Sequence, residues 1–265
     1  MAALTTYSVD LRRANTKMTE SVGFSSHHTF IELALKETWK SFEGLMTKDK
    51  EFSPLPLSAF QELRDSEVKR LAKLNPGAET GELEELVAPG IALQADPAYQ
   101  HHTLIFRPMR VVCIQAIFNS HALCEAIINI AMSIYFAKSG TPELFEILEK
   151  SDLKQKWTHG PKLIKNSYCL EKGKELYETL SRLIKLRNSY VHYKPNVEVN
   201  GGMKIRSNNS HLDEMDFSEQ NRWMIKFFNL PYDLAEHITY STMHPAMLLL
   251  SHRLPIRPLK SFHSL

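Results

Sequence analysis

The chain has 265 residues, with 32 Lys and Arg against 30 Asp and Glu, so its net charge is +2. Apolar residues make up 43% and charged residues 23%, ordinary globular usage that excludes wholesale disorder and leaves enough apolar side chains for a core. The charge balance excludes a polycation that grips nucleic acid by counterion release alone, and three cysteines (Cys113, Cys124, Cys169) are too few and too scattered for a disulfide framework or zinc cluster, which points to a reducing, cytoplasmic setting.

Residues 1–26 are polar and rich in Ser and Thr, which predicts a loose arm, and they lack the apolar centre of a signal peptide. Phe30, Leu33, Ala34, Trp39 and Phe42 recur at helical spacing and predict a helix over 29–46. After the break at SPLPLS, Phe60, Leu63, Val68 and Leu71 predict a second helix over 58–74. Residues 75–90, with Pro and Gly at both ends, read as a connector. The longest helical candidate runs from Pro97 to Ser139, with Pro108 as a kink or break. Its most apolar part, 109–137, is interrupted by Arg110, Gln115, Asn119, His121, Glu125 and Asn129, which would be costly in lipid. A buried core helix is therefore expected there, and no membrane association.

Pro142 to Lys150 reads as a short helix with Thr141 as its cap. Residues 151–165 read as a compact helical connector, and a strong amphipathic helix follows over 172–192, stopping before Pro195. Polar residues 196–216, with Gly201-Gly202, predict a loop or small hairpin. Trp223, Ile225, Phe227 and Phe228 predict a helix over 218–229, and Pro231 is expected to start a separate last helix reaching about 250, before a Pro-punctuated extended tail. The class is all-α, divided into an N-terminal helical extension (1–95), a central bundle (96–232) and a C-terminal helix with tail (233–265).

The chemistry sits in the 172–192 helix. Leu176, Leu180, Leu183, Leu186 and Tyr190 form one stripe that packs inward. Arg187, Asn188 and His192 cluster at its C-terminal end, Asn188 and His192 sharing a face four residues apart. A guanidinium beside an imidazole suits metal-free cleavage of an RNA phosphodiester. The neutral ring takes the 2′-hydroxyl proton, the charged ring protonates the leaving 5′-oxygen, and the guanidinium holds the phosphate bidentately. Acid and base together need two imidazoles, and one such His per chain predicts a site shared across a two-fold dimer.

The phrase LIKLRNSYVHYKP, with Arg187-Asn188 followed by His192, resembles the signature of the HEPN superfamily. Two further matches to the bare spacing, Arg206 with His211 and Arg257 with His263, lack the helical context. SHALCEAIINIAMSIYF, with Glu125 and Asn129 one turn apart, and the connector with Lys156-Trp157 and Pro161 are also similar to one HEPN group, so the resemblance covers about 105–195. It implies a HEPN-like helical bundle with extra N-terminal helices, usually dimeric, acting as a metal-independent endoribonuclease on RNA, with tRNA among the candidate substrates, in toxin–antitoxin or antiviral defence, with an antitoxin or regulatory partner. It implies no cofactor and no metal. Arg187 then binds the scissile phosphate, His192 is the acid or base, Asn188 supports the geometry and Glu125 orients Arg187 or His192. Antitoxin-controlled members carry a modified Tyr two residues after the His. Here that position is Lys194, so that mode of control is not expected and Lys194 instead adds positive charge near the phosphate.

Blander roles stand beside these. His192 can cap a helix C-terminus and Arg187 can be a solvated side chain. His121 and Glu125 make half of a metal site with no second pair at ligand spacing, which favours a buried polar pair. His27-His28 and His101-His102 read as surface residues, and Trp157 and Trp223 as core anchors rather than base platforms. Lys162, Lys165, Lys172 and Lys174 could guide RNA but are diluted by Glu171 and Glu175. The alternative to a nuclease is a catalytically inactive HEPN-like bundle used for dimerisation or RNA binding.

Overall fold

The computed structural model describes residues 7–10, 19–22, 27–191, 198–199, 203–204 and 215–244, with side chains over 29–191 and 215–244. The protein is all-α, as expected. Its helices are α1 (His27–Lys50), α2 (Gln61–Leu74), α3 (Thr80–Ala95), α4 (Pro97–His101), α5 (Arg107–Ser139), α6 (Glu143–Glu149), α7 (Leu153–Ile164), α8 (Glu175–Val191) and α9 (Phe217–Thr242). Two small antiparallel backbone pairings accompany them, Tyr7–Asp10 with Thr19–Val22 and Glu198–Val199 with Met203–Lys204. Most of the predicted 1–26 arm and most of the predicted 196–216 loop lie outside the described residues, as does everything after residue 244.

The chain forms two compact units. One comprises residues 38–115; the other joins 1–37 to 116–265. In the 38–115 unit, residues 80–95 form helix α3 where a connector was expected. Its turn-forming Pro89 and Gly90 hide a helical repeat of Leu83, Val87 and Ile91, of which Leu83 and Ile91 are buried. Burying two such side chains is worth about 3–6 kcal/mol, more than the roughly 3 kcal/mol that an internal proline costs. Helix α2 packs on α3, tied by an Arg64–Glu84 ion pair at 2.9 Å, and buries none of its own side chains. His101, read as a surface residue, pairs through Nε2 with Asp49 Oδ1 at 2.7 Å.

A π-helical turn, His102–Phe106, links α4 to α5. It stands immediately before Pro108, whose missing N–H disturbs the ordinary ladder, so the expected irregularity falls a few residues earlier than the proline itself. Among the described residues, Pro97–Ser139 is the helix long and apolar enough to cross a membrane, and half of its most apolar stretch is buried in the protein.

The larger unit holds the core that positions the site. Leu123, Cys124, Ile127, Ile128, Ala131 and Met132 of α5 are buried, as are Leu153 and Trp157 of α7 and Leu180, Leu183 and Leu186 of α8. The α8 stripe therefore packs inward as its spacing predicts, with Leu176 and Tyr190 half-buried at its ends. Helix α9 runs unbroken through Pro231, contrary to the expected break. Phe227, Phe228, Leu230, Tyr232, Leu234, Ala235 and Ile238 are buried on both sides of that proline, and their combined burial outweighs one lost backbone bond.

Candidate functional site

Helix α7 starts at Asp152, whose Oδ1 accepts the Gln155 N–H at 2.8 Å. That cap sets Lys156 and Trp157 facing α5. The Trp157 indole Nε1–H donates to the Cys124 carbonyl at 3.2 Å, and Trp157 is fully buried, a core anchor as expected. Lys156 is also buried, its side chain 1% exposed, and Nζ meets Glu125 Oε1 at 2.8 Å, while Glu125 keeps 42% of its side chain exposed. An ammonium removed from water needs such a partner. This bond and the indole bond pin α7 to one turn of α5, the turn that carries His121 and Glu125.

Arg187 comes to this cluster from the C-terminal part of α8. It is half-buried, and its Nη1 donates to Asn188 Oδ1 at 3.1 Å. The amide oxygen of Asn188 thus holds the guanidinium. The charge of Arg187 reaches His121. Burial first, and then Arg187, hold the His121 imidazole below the usual histidine pKa; Glu125 opposes this and Lys156 adds to it. His121 is therefore neutral near pH 7, with a ring nitrogen able to take a proton, in the field of a guanidinium.

The sequence-predicted residues fare unequally. Arg187 and Asn188 stand together. Among the described residues the ion-pair partner of Glu125 is Lys156, and the Glu125 charge acts on His121. His192 and Lys194 lie outside the described residues. His121 is the residue that spacing missed. Paired on paper with Glu125 as half of a metal site, it has no such company: among the described residues no group of His, Cys, Asp and Glu could hold a metal ion. The predicted lysine patch is partly engaged, Lys165 Nζ donating to the Ser241 carbonyl at 2.9 Å and Lys174 lying 3.6 Å from Glu171.

A second feature lies on α8. Glu178, Ser181, Arg182, Lys185 and Leu186 line a cavity of about 410 Å³ that Trp223 of α9 closes. Trp223, expected as a core anchor, is half-buried. The Arg182 guanidinium lies 4.2 Å from its ring centroid and pairs with Glu219 at 3.1 Å. Lys226 lies 5.0 Å from the same ring and pairs with Glu175 at 2.7 Å. Comparison of the chain with protein-family models, with curated proteins and with solved structures finds no match.

Proposed function

We propose that the protein is a metal-independent endoribonuclease of the HEPN type, working as a homodimer and leaving a 2′,3′-cyclic phosphate. The observation that carries this reading is Arg187, half-buried and held by Asn188, with a charge that helps keep the His121 imidazole below the usual histidine pKa. Arg187 binds the scissile phosphate and stabilises the charge that grows on its oxygens. A neutral imidazole removes the 2′-hydroxyl proton as that oxygen attacks phosphorus. An imidazolium protonates the departing 5′-oxygen, so the P–O5′ bond breaks as the cyclic ester closes. His192 takes one of these roles. The second imidazole comes from the partner across the two-fold axis or, more economically, from His121 of the same chain. Lys194 adds positive charge close to the phosphate. A place in toxin-type or antiviral defence, with an antitoxin or regulatory partner, follows only from the resemblance.

The test is incubation of the pure protein with labelled tRNA and total RNA, with and without chelator. Cleavage that survives chelator and is lost in Arg187→Ala and His192→Ala supports a metal-free nuclease. Binding without cutting by well-folded protein supports the inactive RNA-binding bundle instead.

A further inference from the structure

We propose that the cavity between α8 and α9 binds one unpaired nucleobase with its phosphate, guanine being the base whose edge fits it best. The cavity, about 410 Å³, is of the size that holds a small ligand. Glu178, Ser181, Arg182 and Lys185 recur at helical spacing, so one face of α8 forms the wall and Trp223 stands across from it. The Arg182 guanidinium, 4.2 Å from the Trp223 ring centroid, offers a planar surface of the kind on which bases stack.

The polar groups select among ligands. Arg182 and Lys226 already have carboxylate partners in Glu219 and Glu175, so the cavity is no simple anion sink. What remains is Lys185, exposed and without an ion-pair partner among the described residues, and Glu178, which uses Oε1 to accept the Gly173 N–H at 3.0 Å. A carboxylate oxygen suits a base edge rich in N–H donors, and guanine presents N1–H and its exocyclic amine side by side. An ammonium nearby suits the phosphate. Two wall atoms, Ser181 Oγ and Arg182 Nε, are buried without a hydrogen-bond partner among the described residues. A buried polar atom left unpaired is costly, and a ligand oxygen reaching either one relieves that cost.

The ligand could be a free guanine nucleotide or a guanine within an RNA strand. The second source rests on the ribonuclease reading: Leu186 lines the cavity and Arg187 is the next residue of α8, so one helix would hold both the base and the strand that is cut.

The experiment is calorimetry on the full-length protein with GMP, AMP, CMP, UMP, guanosine and inorganic phosphate, together with single-stranded oligonucleotides containing or lacking one guanine. GMP should bind about tenfold or more tighter than the other mononucleotides, the scale of one good bidentate base contact. Glu178→Gln should erase that preference without lowering the melting temperature, and Lys185→Ser should weaken every nucleotide but not guanosine. Equal binding of all four mononucleotides, binding of phosphate as tight as GMP, or no binding of either guanine source overturns the proposal. Arg187→Ala separates the two ideas, because it should leave GMP binding intact while abolishing RNA cleavage. Guanine binding by a protein that cuts no RNA sinks the nuclease and keeps the cavity, whereas chelator-resistant cutting with no guanine binding does the reverse.

Discussion

Arg187 on α8 acts on His121 on α5: after burial, its guanidinium charge is the largest reason the imidazole resists protonation. Replacing Arg187 with Met should raise the His121 pKa toward, but not to, its ordinary value of 6.5, because burial persists. Histidine ring signals followed by NMR through a pH titration check this, and an unchanged His121 titration contradicts the pairing.

The same shift sets a pH dependence of stability. A histidine whose folded pKa lies below its unfolded value binds its proton more readily in the unfolded chain. Its contribution is intact above about pH 6.5 and is lost as the pH falls from there toward the folded pKa. His244, lowered by burial and then by Lys138, acts in the same direction. His121→Gln should therefore flatten only part of the fall in melting temperature between pH 7 and pH 5. Identical slopes for the variant and the wild type would contradict the assignment.

The Lys156–Glu125 bond gives a stability test. Glu125→Ala strands an ammonium whose side chain is 1% exposed and should cost about 1–3 kcal/mol. Lys156→Met, which fills the same space without a charge, should cost less. Denaturant unfolding of both variants measures the order, and the reverse order would mean that packing of the lysine stem outweighs the ion pair.

Asn188 should behave differently. Its side chain is exposed and holds Arg187 through Oδ1. Asn188→Ala should leave the unfolding free energy within about 0.5 kcal/mol of wild type, as surface changes do. The same variant should lower RNA cleavage about tenfold through loss of guanidinium orientation. A rate equal to wild type would reduce Asn188 to a surface residue.

Local periodicity made much of the fold legible. The inward stripe Leu180, Leu183 and Leu186 was readable, and so was burial of Trp157, because both follow from spacing or size. Prolines misled in opposite ways: Pro89 and Gly90 concealed α3, and Pro231 suggested a break inside α9, since neither shows in sequence how much apolar surface is buried on each side. Arg187 and Asn188 were legible because they are neighbours on one helix. His121 and the Trp223 cavity were not, because each meets its partners from another helix, and no spacing rule links α5 to α8 or α8 to α9. Glu125 was legible as a polar group on the α5 core helix, but the lysine it pairs with arrives from α7.

The central claim concerns the bond that breaks, and the chemistry of the new 3′ end tests it most directly. Labelled RNA is incubated with wild-type protein in excess chelator and the product termini are identified. The wild type should form 2′,3′-cyclic phosphate ends, and Arg187→Ala should form none. Products ending in a 3′-hydroxyl, or cyclic-phosphate ends formed equally by Arg187→Ala, would contradict it.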